Sequence, residues 1–111
     1  MNKNTESYKL EYDTHDMSVL YLTYQGITYE LTSYPYEPCL YIKHGDAHVC
    51  TLHTAFNTDE LIEAFSKGRT VRAMNGINYD EKTFCKILVA SIDSKRGDMD
   101  FTYAAKLLIT N

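Results

Sequence analysis

Alternation of apolar and polar residues dominates the first half of the chain. Tyr8, Leu10 and Tyr12 alternate with polar neighbours, which is the period of a half-buried strand. A longer alternation runs through residues 18–33 and is interrupted by Gln25-Gly26. Glycine at the second position of a two-residue loop supplies the positive φ that a tight hairpin turn requires. The pattern therefore predicts one strand followed by a β-hairpin.

The register of this hairpin separates an apolar face from a polar one. A turn at Gln25-Gly26 pairs Tyr24 with Ile27, and residues two apart on a strand share a face. The apolar face then holds Leu20, Leu22, Tyr24, Ile27, Tyr29 and Leu31. The other face holds Tyr21, Thr23, Thr28, Glu30 and Thr32. We expect the first face to contact a core and the second to stay exposed.

Residues 39–53 combine two cysteines and three histidines with strand-like alternation. A second turn at Gly45-Asp46 would pair Ile42 with Val49, Leu40 with Thr51, Tyr41 with Cys50, and Lys43 with His48. This register places Cys39, His48 and Cys50 on one face, and His44 and His53 on the other.

His48 and Cys50 could then bind a metal together, with Cys39 as a third ligand. Structural zinc usually has four ligands, and the C-x-x-C spacing that would make the signal specific is absent. Small buried thiols and a polar strand histidine explain the same residues, so we predict no metal site and no cofactor.

Helical patterns begin at Asn57. Residues 57–68 start with this capping residue, have Glu60 three positions later, and end at Gly68, as capped helices do. Their apolar positions, which are Leu61, Ile62 and Phe65, lie on one stripe.

A second helix is predicted over residues 78–92, where Asn78 and Glu81 repeat the cap spacing of the first. Between the helices, residues 69–74 predict a short strand that ends in an Asn75-Gly76 turn. The last segment has apolar residues at helical spacing, namely Phe101, Ala104, Ala105 and Leu108. It predicts a third helix, with an edge strand as the alternative.

These elements predict a single domain over residues 1–111. Residues 1–56 form antiparallel strands, and residues 57–111 are mainly helical. Strands followed by helices favour an α+β fold, here an antiparallel β-meander of about five to six strands with two to three helices packed on one face. The other face of such a sheet can remain in water.

Charge is unevenly distributed along the chain. Residues 1–56 carry three lysines against seven acidic residues, while residues 57–111 are neutral overall and the net charge is −4. Phosphate backbones need clustered Lys and Arg, so direct nucleic-acid binding is disfavoured. A basic protein surface, including that of a nucleic-acid-binding effector, is the partner that the charge favours.

Common catalytic motifs are absent from the sequence. It contains no G-x-S-x-G, no Walker-type loop, no G-x-G-x-x-G and no H-E-x-x-H, so we predict no enzymatic activity. The N-terminal residues are polar, the apolar runs are short, and the cysteines number three. These features predict a cytoplasmic protein with free thiols that does not enter a membrane.

Tyrosine is the most abundant aromatic residue, with ten copies and no tryptophan. Tyr21 and Tyr41 fall on the polar sheet face together with Glu11, Glu30 and His48. Tyrosine combines apolar area with a hydroxyl group and suits contact surfaces. We take these five residues as the candidate partner-binding set. Cross-strand packing alone, or a homodimer through the same face, would also explain the tyrosines.

A second candidate site lies around Arg69 and Arg72, which precede Asn75 and Gly76 and then a helix N-terminus. Two guanidinium groups and free N–H groups there could hold an anionic ligand such as a signalling nucleotide. Solvated arginines that balance nearby acids are the favoured interpretation.

The overall character of the chain resembles that of a known class of inhibitors. The residues that suggest it are the tyrosine-bearing strands and the acids Glu6, Glu11, Asp13, Asp16, Glu30, Glu37 and Asp46. A short, acidic, tyrosine-rich chain of this kind is similar to the anti-CRISPR and other anti-defence proteins of bacteriophages and mobile elements. The resemblance implies a non-catalytic inhibitor that docks to a defence effector in the host cytoplasm. Sequestration of a signalling nucleotide and neutralisation of a toxin are the alternatives.

Overall fold

The computed structural model describes residues 8–109, so Glu6 and the rest of the polar N-terminal stretch lie outside the described residues. The described chain forms a six-stranded sheet, a two-stranded sheet and three helices, which confirms the α+β class. In chain order the elements are β1 Tyr8–Asp13, β2 Asp16–Tyr24, β3 Ile27–Thr32, β4 Cys39–His44, β5 Ala47–His53, α1 Thr58–Ser66, β6 Val71–Arg72, β7 Asn78–Tyr79, α2 Glu81–Asp93, β8 Asp98–Asp100 and α3 Phe101–Ile109.

The large sheet has the strand order β1-β2-β3-β4-β5-β8. Its first five strands form the predicted antiparallel meander, but β8 runs parallel to β5, so the sheet is mixed. Parallel neighbours need a long crossover connection, and α1, the small sheet and α2 supply it here. Periodicity within single segments does not reveal such a distant pairing.

The first hairpin has the predicted register. Tyr24 pairs with Ile27, and the expected core positions Leu20, Leu22, Tyr29 and Leu31 are buried, but Ile27 at the turn is exposed and does not contact the core as expected. Gln25 and Gly26 both have positive φ, 53° and 80°, which is the conformation of a type I′ turn. Leu20 and Leu31, which pair directly, are fully buried.

The second hairpin differs from the prediction beyond its first pairs. Lys43 pairs with His48 as expected, but Ile42 pairs with Cys50, so Val49 is left over as the extra residue of a β-bulge. The predicted pairs of Ile42 with Val49, Leu40 with Thr51 and Tyr41 with Cys50 are therefore wrong by one position. The observed pairs are Leu40 with Leu52, Tyr41 with Thr51, and Cys39 with His53.

Burial explains the bulge. A strand without it would turn Leu52 away from the core, because a one-residue change of register moves every side chain to the opposite face. With the bulge, Leu52 and Cys50 are fully buried. The same shift moves His53 to the face opposite the core, where it meets Cys39. Cys50 therefore lies on the core face and His53 on the opposite face, which is the reverse of the prediction.

The helix N-termini show one confirmed cap and one error. Asn57 caps α1 in a reciprocal capping box with Glu60, as predicted. α2 begins later than predicted, because Asn78 pairs with Arg72 in the small sheet. Its N-cap is Asp80.

Both alternatives for the last segment occur in succession. Asp98–Asp100 forms the edge strand β8, and the helix α3 begins directly afterwards at Phe101. The Asp100 carboxylate accepts a hydrogen bond from the Tyr103 backbone N–H at 3.1 Å, which satisfies one of the free donors of the first helical turn.

The core lies between one face of the sheet and the helices. Its centre is an aromatic cluster whose neighbouring ring centroids lie 5.2–5.9 Å apart. The cluster consists of Phe56, Phe65, Tyr79, Phe84 and Phe101. The rings pack over strand residues such as Leu22 and Leu40, which are fully buried. Within residues 8–109, no helix is both long and apolar enough to cross a membrane.

Candidate functional site

The candidate site is the side of the large sheet opposite the core, which we call the open face. We define it by the outward residues of β1 to β5 and β8, namely Lys9, Glu11, Val19, Tyr21, Thr23, Thr28, Glu30, Thr32, Cys39, Tyr41, Lys43, His48, Thr51, His53, Asp98 and Asp100. The buried residues of the same strands, such as Leu22 and Ile42, point to the helices instead. One face of the sheet is therefore covered by the helices, and the other face is in contact with solvent.

Most of the predicted partner-binding residues form one row across the sheet. Glu11 pairs with Tyr21, Tyr21 with Glu30, Glu30 with Lys43, and Lys43 with His48. Side chains at directly opposite positions lie within reach of one another. The row crosses five strands, about 19 Å at the usual strand spacing, and places an aromatic ring between two carboxylates.

Tyr21 is the exposed aromatic residue of this row. Tyr21 is 39% exposed, although it has a paired neighbour on each side. Glu11 forms an ion pair with Lys9 at 3.4 Å on the same face. Such exposed pairs contribute little to stability and do not hold the glutamate away from a partner.

Tyr41 lies in the next row, where it pairs with Thr32 and Thr51. Its hydroxyl donates to Glu37 Oε1, and this hydrogen bond, more than burial, raises the pKa of Tyr41 to about 12. The Tyr41 ring also meets Tyr34 edge-on, with centroids 5.5 Å apart. Both the hydroxyl and the ring of Tyr41 therefore have partners in the connection between β3 and β4.

The aromatic area extends beyond the predicted residues into the connection between β3 and β4. Tyr34 is 59% exposed and Tyr36 is 96% exposed. The available sequence signal was the Tyr-Pro-Tyr triplet before Pro38, because two prolines restrict the conformation of so short a segment. Tyr34 therefore adjoins the candidate surface through Tyr41, whereas Tyr36 lines a cleft with Asn57 and Glu60 at the start of α1.

His48 is held on the open face by its own strand. Its Nε2 lies 2.8 Å from Thr51 Oγ1, a contact between residues three apart that the bulge at Val49 permits. Cys50 lies on the opposite side of the sheet, fully buried. His48 and Cys50 therefore cannot share a metal ion.

Carboxylates outnumber cations on the open face. Glu11, Glu30, Asp98 and Asp100 face the same side as Lys9 and Lys43. The two aspartates arrive on β8, so the acidic character of the first half of the chain extends to a strand from the second half. That contribution was not predicted, because it depends on the parallel pairing of β8 with β5.

The residues of the second candidate site lie around the small sheet and outside the row that crosses the open face. Arg69 and Arg72 line a shallow cleft of about 360 Å³, together with Glu60 and Glu63. Carboxylates in the same cleft offset the positive charge that an anion would need. The neighbouring helix N-terminus is also occupied, because the Asp80 carboxylate accepts from the Thr83 N–H at 2.9 Å.

Asn75 and Gly76 form the turn between β6 and β7. The Asn75 side chain accepts from the Ile77 N–H and donates to the Tyr79 hydroxyl, both at 3.0 Å. Gly76 has a φ of 81°, which explains the glycine. The structure gives these two residues a local role.

One cluster on the open face was not predicted from the sequence. Cys39 Sγ lies 3.4 Å from His53 Nδ1, and His53 Nε2 lies 2.6 Å from Asp98 Oδ1. The predicted register had placed His53 on the core face, away from Cys39. Only the bulge in β5 and the parallel strand β8 bring the three residues together.

Comparison with known proteins gives no relative from which a role could be carried over. No protein-family model matches the chain, and no curated protein and no solved structure matches it either.

Proposed function

We propose that this protein is a non-catalytic binding protein whose open face docks to a basic protein surface. The observation that carries the proposal is the row across five strands, in which the carboxylates of Glu11 and Glu30 flank the exposed ring of Tyr21 and Lys43 and His48 complete the line. Aromatic residues at the centre of an interface commonly supply most of its binding energy. Carboxylates around them speed the encounter with a basic partner.

We further propose that the partner is a nucleic-acid-binding effector of a bacterial defence system, met in the host cytoplasm. A surface that holds nucleic acid is rich in Lys and Arg, and an acidic face of fixed shape is complementary to it. The resemblance of the chain to anti-CRISPR and related inhibitors supports this choice of partner. Inhibition would follow from occupation of that basic surface.

The geometry favours this proposal over sequestration of an anionic ligand. Glu60 and Glu63 line the same cleft as Arg69 and Arg72, so a nucleotide would have to enter beside two carboxylates. The open face combines unlike charges with exposed rings, which suits a protein partner better than a small anion.

The experiment is affinity capture from the lysate of the native host, followed by binding kinetics with the captured protein. The test variants are Tyr21→Ala, Tyr41→Ala, Glu11→Lys and Glu30→Lys. We expect the lysine variants to slow association about tenfold at low salt and to weaken its salt dependence. We expect the alanine variants to speed dissociation by about tenfold or more.

Matched controls lie on the helical side. Tyr103 is 46% exposed on α3, and Glu63 is exposed on α1. Tyr103→Ala and Glu63→Lys should therefore bind like the unchanged protein. If the four open-face variants retained full binding, or if the control variants lost it, the proposed docking surface would be wrong.

A further inference from the structure

We propose that Cys39 is a modification site, at which His53 acts as the base and small cationic disulfides are the reagents. The cluster consists of the thiol, the imidazole and the Asp98 carboxylate on three neighbouring strands. The proposal does not depend on the docking function, since it concerns the reactivity of the free protein.

The hydrogen-bond geometry assigns a role to each nitrogen of His53. Nε2 lies 2.6 Å from Asp98 Oδ1, so the carboxylate favours the tautomer with the proton on Nε2. Nδ1 then carries the free lone pair, and it faces Cys39 Sγ at 3.4 Å. The imidazole is thus oriented to accept the thiol proton. A carboxylate that orients the base in this way also stabilises the imidazolium that forms.

Cys39 is the most accessible of the three cysteines. It keeps 8% of its surface exposed, against 4% for Cys85 and none for Cys50. It lies on the open face, whereas Cys50 and Cys85 are part of the core. His53, which pairs with Cys39 on the next strand, lines a cleft of about 410 Å³ that is bounded by Pro38 and Asp100 among others, although the Cys39 side chain does not itself line this cleft. A small reagent therefore has room next to the base.

The surroundings of the thiol explain why it needs a base. Burial, followed by the negative charges of Glu37 and Asp98, raises the pKa of Cys39, while a hydrogen bond with Tyr41 opposes the shift. The thiol is therefore protonated at neutral pH, and proton transfer to His53 has to accompany attack. The same carboxylates, with Asp100 beside His53, attract a cationic reagent and repel an anionic one.

The reaction is a thiol–disulfide exchange. The Cys39 proton moves to His53 Nδ1 as Sγ attacks one sulfur of the reagent. A new S–S bond forms, the S–S bond of the reagent breaks, and the leaving thiolate takes the proton from the imidazolium. Cys39 is oxidised to a mixed disulfide, and the leaving sulfur is reduced to a thiol.

The experiment measures mixed-disulfide formation with cystamine, a small disulfide with two ammonium groups, by peptide mass spectrometry. At neutral pH we expect Cys39 to react at least about tenfold faster than Cys50 and Cys85 in the unchanged protein. His53→Gln should lower the Cys39 rate about tenfold or more, since a positioned base commonly contributes at least that much. Asp98→Asn keeps an acceptor for Nε2 but removes the charge, so its rate should lie between the two.

Two readouts separate a base from a structural residue. The rates of the unchanged protein and of His53→Gln should converge at alkaline pH, where the thiol ionises without help. Oxidised glutathione, which carries carboxylates, should react more slowly than cystamine. Equal reactivity of the three cysteines in the native protein would overturn the proposal without any variant. So would a Cys39 rate unaffected by His53→Gln in a variant whose melting temperature shows that it is folded.

Discussion

At the scale of single residues, a capping side chain marks a helix start only where its backbone is free of other pairing. Asn57 and Asp80 both accept a hydrogen bond from a backbone N–H in the first turn of their helices. Asn78 has the same spacing to a following acid as Asn57 has, yet its backbone belongs to the small sheet. The local pattern was equal at both positions, and only the pairing with Arg72 distinguishes them.

This difference gives a prediction for stability. Asp80→Ala should lower the free energy of unfolding by about 1 kcal/mol, the usual cost of losing an N-cap. Asn78→Ala, two residues earlier and also exposed, should change it by less than about 0.5 kcal/mol. Urea denaturation of both variants measures the difference. If Asn78→Ala proved the costlier of the two, α2 would begin where the sequence pattern had indicated.

At the scale of elements, the sequence predicted what repeats locally and missed what depends on distant partners. The β2–β3 hairpin was correct to the residue, because its turn and its alternation specify the same register. The β4–β5 hairpin was wrong beyond Lys43, because a bulge interrupts the alternation that the prediction assumed. The strand β8 was expected only as an alternative, and its parallel partner could not be inferred from a three-residue segment. The cluster of Cys39, His53 and Asp98 was not predicted, because it depends on both the bulge in β5 and the parallel strand β8.

Deletion of Val49 tests the bulge. Removing the extra residue leaves every observed pair of β4 and β5 intact, so the protein should still fold. Its free energy of unfolding should fall by about 1–2 kcal/mol, because the partly buried valine side chain is lost. Deletion of Thr23 is the matched control, because the β2–β3 pairing has no bulge to absorb it.

The control deletion moves buried leucines to the open face or forces a new bulge. It should cost more than about 3 kcal/mol, the scale of removing a large core side chain. Urea denaturation compares the two proteins. An equal loss of unfolding free energy in both deletions would show that Val49 is not an extra residue in β5.

At the scale of the whole molecule, the sheet is asymmetric. The helices follow the meander in sequence and pack on the face that holds Leu22 and Leu40, so the opposite face receives the polar residues of every strand. That asymmetry was predictable, because the alternation of each strand specifies one apolar side and one polar side. The row from Glu11 to His48 was predictable only in part: its members were expected on one face, and the strand order placed them in line.

The claim that this open face is the docking surface is tested most directly by methyl NMR of the threonines, with the protein free and then bound to the captured partner. Thr23, Thr28, Thr32 and Thr51 report on the open face, while Thr70 reports on the arginine cleft and Thr83 on α2. We predict that the four open-face methyl signals shift or broaden on binding and that those of Thr70 and Thr83 do not. Perturbation of Thr70 or Thr83 with the open-face signals unchanged would contradict the account.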